Sequence, residues 1–136
     1  MNVKILFVFS FFHHSHISQF SKTQQKSTVK PIYVNITNSS ITLVADRKYE
    51  IYCETSGSRP DAIITWFKGK KSLKRTRDYN KNNKTTSILN FAPAIEDNGK
   101  ILSCHAENPN VAGLFVEDSW NMSVYCKLFY SFSSFT

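Results

Sequence analysis

Two cysteines 51 positions apart, with a tryptophan 13 positions after the first, constrain this chain more than anything else in it. Cys53 ends the run KYEIYC, Trp66 sits in ITWFKG and Cys104 closes EDNGKILSC. Polar and apolar residues alternate around both cysteines, the period of a strand with one buried face. One arrangement accommodates all of this. Two antiparallel sheets pack face to face, a disulfide joins their centres, and a tryptophan on a third strand packs against it. A cysteine pair alone would be weak, since any two can be paired on paper. The tryptophan at this offset and the alternation at both cysteines make the pattern specific.

With 136 residues, the chain has room for one sandwich of about 100 residues plus tails. Residues 1–28 read as a signal peptide with a disordered lead-in, 29–125 as the domain and 126–136 as a tail outside it. Residues 5–12 are apolar apart from Ser10 and follow one positive charge, Lys4, as in a short secretory signal. No small-x-small cleavage site follows, and translated sequence upstream of a true exon fits equally well. No stretch is long and apolar enough to span a bilayer. The aromatic, serine-rich end KLFYSFSSFT reads as intron-derived readthrough or a truncated end.

Within 29–125 the alternation assigns faces. Leu43, Tyr49, Ile51 and Cys53 point inward, with Glu50, Tyr52 and Glu54 outward. Ile64 and Trp66 point inward, with Thr65 and Phe67 outward. Ser87, Leu89 and Phe91 share a face, as do Leu102, Cys104 and Ala106, and then Trp120, Met122 and Val124. Trp66, Leu89, Leu102 and Trp120 are the expected core beside the Cys53–Cys104 bridge. PIYVNI, opening on a proline, suits an edge strand, and SGSRP and ENPN suit loops. Residues 70–83 are charged with only Leu73 as an anchor, and hold either a short strand or an irregular crossing. The fold class is all-β, an immunoglobulin-like β-sandwich of two antiparallel sheets, C2-like.

A disulfide at the centre of a fold needs an oxidising compartment, hence secretion or the extracellular side of the plasma membrane. Cys126 has no partner left inside the domain. Four sequons, at Asn35, Asn38, Asn83 and Asn121, add modest support for a secreted glycoprotein. The net charge of +7 is unevenly placed. Between Lys68 and Lys84 there are eight Lys or Arg and one acid, Asp78, whereas residues 85–126 hold Lys100 against five acids. Such a division can steer a charged protein partner, or simply solvate an edge. No nucleic-acid motif accompanies it, so no nucleic-acid partner is expected. Phe67, aimed outward among Lys68, Lys70, Lys71 and Lys74, is the candidate partner-binding face.

An enzyme is not expected, nor a small-molecule substrate or cofactor. There is no glycine-rich phosphate loop and no spaced carboxylate pair, and His105 stands alone beside a structural cysteine. His13, His14 and His16 lack a fourth ligand, so no metal is expected.

SGSRPDAIITWFKG, TTSILNFAPAIEDNGKILSCHAENPNV and EDSWNMSVY together resemble the second immunoglobulin domain, of the C2-like type also called CD80-like, in arthropod Sidestep and related nephrin-like cell-adhesion receptors. The resemblance implies a membrane receptor with tandem immunoglobulin domains, Beaten-path-like partners and a role in axon guidance or cell adhesion. It implies structural roles for Cys53, Cys104, Trp66, Asp97, Gly99 and Trp120, and none that is catalytic. The tyrosine usual two residues before the second cysteine is Leu102 here, which removes the tyrosine-corner hydrogen bond. The alternative to a binding module is a spacer, or a single-exon fragment with no binding of its own.

Overall fold

Trp66 lies directly across from Cys104 on the neighbouring strand, and Cys53 directly across from Ser87 on the other sheet. The computed structural model describes residues 27–128. Its strands are β1 (Tyr33–Ile36), β2 (Leu43–Val44), β3 (Tyr49–Ser56), β4 (Ile63–Lys68), β5 (Lys71–Leu73), β6 (Thr76–Lys81), β7 (Lys84–Phe91), β8 (Ile101–Glu107), β9 (Phe115–Asn121) and β10 (Val124–Tyr125), with a 3-10 turn at Ile95–Asp97. One sheet runs β1-β3-β7-β6 and the other β5-β4-β8-β9, all antiparallel, while β2 and β10 form a short parallel pair. This is an all-β immunoglobulin-like sandwich.

The Cys53–Cys104 disulfide ties the two sheets together, with Cα atoms 6.5 Å apart. Trp66 is fully buried beside it, and its indole Nε1 donates to Ser87 Oγ at 3.0 Å. Ser87 in turn donates to Asp78 across β6. The one acid in the basic stretch thus completes the chain that satisfies the buried tryptophan N–H. Ile51, Ile64, Leu89, Leu102, Met122 and Val124 are among the buried residues packed around them. Trp120 is half-buried and packs at the core's margin instead of inside it, because β9 is the outermost strand of its sheet and only one neighbour covers it.

Residues 70–83 contain both of the expected alternatives. β5 continues the β4 sheet for three residues, with Leu73 opposite Trp66. The chain then crosses to the other sheet, where β6 pairs with β7 from Thr76↔Leu89 to Lys81↔Lys84. Neither strand has alternating apolar residues, because both are edges and their partners supply the apolar side. At the other end of the sandwich β1 stops at Ile36, and the Asn38 side chain takes over its pairing. Asn38 Nδ2 donates to the Glu50 carbonyl and its Oδ1 accepts from the Tyr52 amide.

Asn108 is fully buried where three segments meet. Its Nδ2 lies within hydrogen-bond distance of the Val29 carbonyl (2.7 Å), the Arg59 carbonyl (2.8 Å) and Ser58 Oγ (3.2 Å), and its Oδ1 accepts from the Asn110 amide. A bridge between Val29 and Arg59 runs alongside. The signal-like stretch, the three histidines and the last eight residues lie outside the described residues.

Candidate functional site

Two surfaces of the β5-β4-β8-β9 sheet carry side chains that the core does not use. The first is its outer face. Phe67 on β4, His105 on β8 and Phe115 on β9 all point away from the core, since each alternates with an inward residue: Trp66, Cys104 and Val116. Pairing sets Thr65 opposite His105 and Glu107 opposite Phe115, so the three rings lie on a diagonal within reach of one another. The Phe67 and His105 centroids are 4.5 Å apart, and those of His105 and Phe115 are 4.4 Å apart with planes only 4° from parallel. His105 Nε2 also lies 2.8 Å from Glu117 Oε2, directly opposite, and 3.3 Å from Ser103 Oγ. The stack ends in the open. Phe115 is 50% exposed, with Ile63 also exposed across Glu107.

The second surface is the basic edge, where the structure corrects the expected grouping of Phe67 with the lysines. Lys68 has the parity of Trp66, so it points to the core side, where Asp97 takes its ammonium at 2.8 Å and the Phe91 ring lies 5.7 Å away. Lys71 is paired with Lys68 and shares its side, so Ser72, not Lys71, stands beside Phe67. Lys70 and Lys74 are exposed in the segments flanking β5. Lys68 and Lys71 therefore lie on the opposite side of these strands from the aromatic cluster, with Lys70 and Lys74 in the segments just beyond them.

Asp97 anchors the turn between β7 and β8 and is itself buried. Besides Lys68 it holds Lys100 at 3.1 Å and accepts from the Ala94 amide at 3.0 Å. Burial pushes its carboxyl up, but Lys68, the Ala94 amide and Lys100 together outweigh that and hold it below the usual carboxylate value. This cluster closes the turn where Leu102 leaves no tyrosine corner. A second inward acid, Asp118 on β9, accepts from the Ile36 amide at 2.7 Å and so caps a free donor of edge strand β1.

Of the sequon asparagines, Asn35, Asn83 and Asn121 are exposed, while Asn38 is half-buried with its amide engaged on β3. Cys126 is exposed and unpaired. Among the described residues no group of three or more His, Cys, Asp or Glu is placed to hold a metal ion, and no helix is long and apolar enough to cross a membrane. His105, Phe115 and Glu117 were not singled out from the sequence as a face. Strand parity held the signal, because each alternates with a residue already assigned inward.

The described sandwich matches known proteins at several levels. Residues 28–113 match the CD80-like C2-set immunoglobulin domain. Cell adhesion molecule 4 of Xenopus laevis is 30% identical over 78 residues, covering 55% of this chain and 20% of that protein. Cell adhesion molecule 1 of Mus musculus is 28% identical over 103 residues, covering 70% of this chain and 23% of that protein. The chain thus spans about a fifth of the length of these relatives. Among solved structures, the two-domain Rst D1-D2 superposes with a TM-score of 0.60 at 26% identity, covering 70% of this chain and 49% of that one. Because the family match at residues 28–113 spans more than half of its length, the chain belongs to the CD80-like C2-set immunoglobulin domain family.

Proposed function

We propose that this domain is a recognition module of a cell-surface adhesion receptor, on the extracellular side of the plasma membrane or in a secreted form, and that a protein partner docks around Phe67, His105 and Phe115. The ring stack is the observation that carries the reading. Aromatic side chains at the centre of a patch with polar groups at its rim are the usual anatomy of a protein interface. Rings already in contact, His105 stacked on Phe115 and tilted against Phe67, lose little freedom on binding. The similarity to cell adhesion molecules supports the setting. In its narrower form, the domain is the second immunoglobulin domain of a Sidestep-like receptor, facing a Beaten-path-like partner in axon guidance.

One observation favours the spacer reading. Phe67 is half-buried, with the His105 ring 4.5 Å from its own, and so already meets part of its need for burial. Binding of the full chain to candidate cell-surface proteins separates the two readings. Phe67→Ala and Phe115→Ser should each weaken binding about tenfold or more if the stack is an interface centre. Equal binding by wild type and both variants would leave the spacer reading standing.

A further inference from the structure

We infer that the β5 edge is a binding site for a sulfated polysaccharide of the glycosaminoglycan class. Of the eight cations from Lys68 to Lys84, three are committed: Lys68 to Asp97, Arg77 to Glu50 and Lys84 to Glu54. Lys70, Lys71, Lys74, Arg75 and Lys81 are exposed and form no ion pair among the described residues. The first four fall within six consecutive positions that wrap the β4–β5 turn, β5 and the crossing to β6, a stretch without a single acid. Among the described residues β5 pairs only with β4, so its other edge presents backbone groups outside any sheet pairing. Lys71, Lys74 and Arg75 line one side of an open cleft of about 390 Å³, with Asn90 and the apolar Leu89 and Phe91 across from them.

What this edge lacks selects the ligand. Leu73, Leu89, Phe91 and Ala92 also line the cleft, but Leu89 and Phe91 are buried and Leu73 is half-buried, while exposed Ile101, beside the β4–β5 turn, falls on the outward phase of β8. Among the described residues the cation-bearing side therefore offers little of the exposed apolar centre a protein interface needs. The exposed ring of this basic stretch, Tyr79, lies further along β6 and does not line the cleft, so among the described residues the cleft offers no exposed ring on which a nucleic-acid base could stack. It offers closely spaced, unneutralised cations and an amide, which suits a flexible chain carrying repeated sulfates and carboxylates. Such attraction is long-ranged and weakened by salt. Lys71 lies on the other side of β4 and β5 from Phe67, and none of the cleft's cations belongs to the aromatic cluster, so the site does not depend on the proposed protein partner.

The test uses the full chain with heparin as probe and hyaluronan as its unsulfated counterpart, in titrations across salt concentration. Lys71→Ala/Lys74→Ala should weaken heparin binding about tenfold and lower the slope of log affinity against log salt by about two, because two counterion-releasing contacts are lost. Lys30→Ala/Arg59→Ala, which removes the same charge at the other end of the sandwich, should stay within about threefold of wild type. Phe67→Ala should leave heparin binding unchanged. Equal losses in the two double variants would reduce the effect to net charge and overturn the site. Failure to bind heparin, or equally tight binding of hyaluronan, would do the same. Loss of a protein partner but not of heparin in Lys71→Ala/Lys74→Ala would also overturn it, in favour of an acidic protein.

Discussion

The ammonium of Lys68 sits 2.8 Å from the carboxylate of Asp97, joining the end of the tryptophan strand to the turn before the second cysteine strand. Asp97 is 2% exposed, so its charge depends on Lys68, Lys100 and the Ala94 amide for solvation. Its pKa is lower in the folded protein than the ordinary 3.8. The carboxylate therefore contributes stability at pH above that value, and this stability is lost as pH falls from there through the folded pKa. Wild type should lose melting temperature steeply below about pH 4, and Asp97→Asn less steeply, while at neutral pH the variant should be about 1 to 3 kcal/mol less stable. Thermal melts of both proteins from pH 2 to 7 check this. Parallel curves would show that Asp97 does not carry the acid sensitivity.

Strand parity explains why the inner face was legible. Ile51, Cys53, Ile64, Trp66, Leu89 and Leu102 are buried because each falls on the inward phase of a period-two pattern. Lys68 shares the phase of Trp66, and that phase outweighs its charge, because a buried acid waits for it. Lys68 and Phe67 are adjacent in the chain yet belong to different faces, since neighbours on a strand point opposite ways. β5 and β6 were hard to separate because each is an edge strand whose apolar partners lie in other strands. Asn108 and Asp118 were illegible for another reason. A polar residue satisfied by distant backbone groups leaves no local pattern.

Asn108 should be the costliest polar substitution at the Arg59 end of the sandwich. Asn108→Leu would fill similar space yet strip the Val29 and Arg59 carbonyls and Ser58 of a shared buried donor. A loss of about 2 to 4 kcal/mol is expected, since each orphaned buried group costs roughly 1 to 3 kcal/mol and relaxation recovers part. Hydrogen exchange should quicken at the Val29 and Arg59 amides before it does in β3 or β8. A uniform increase across the strands would mean that the residue acts through global stability alone.

The three cysteines should separate cleanly by reactivity. In the folded, oxidised protein only Cys126 is exposed as a thiol, so a thiol reagent should label one site without unfolding. Reduction should expose two more, at a cost of roughly 2 to 5 kcal/mol from releasing the unfolded chain of its constraint. Cys126→Ser should remove the first label and leave the melting temperature within a degree or two. Two or more rapid labels before reduction would contradict the pairing.

A glycan can serve as a wedge to map the aromatic face. Asn121, with its sequon, projects from the same side of β9 as Phe115 and Glu117, at the strand's far end. Six residues of strand separate it from Phe115, about 20 Å, so a glycan there should lie outside a footprint centred on the stack. Asn121→Gln is expected to leave partner binding within about twofold, the usual effect of a position beyond the interface core. Glu117→Asn creates a new sequon with Ser119 and would place a glycan directly opposite His105. Once mass spectrometry confirms the added glycan, that variant should lose partner binding altogether. Glu117→Gln should keep most of it, which separates the glycan's bulk from the loss of the His105–Glu117 contact. Heparin binding at the β5 edge should be unaffected in all three. If the Glu117→Asn glycoprotein still binds its partner at wild-type strength, the partner does not use the outer face of this sheet.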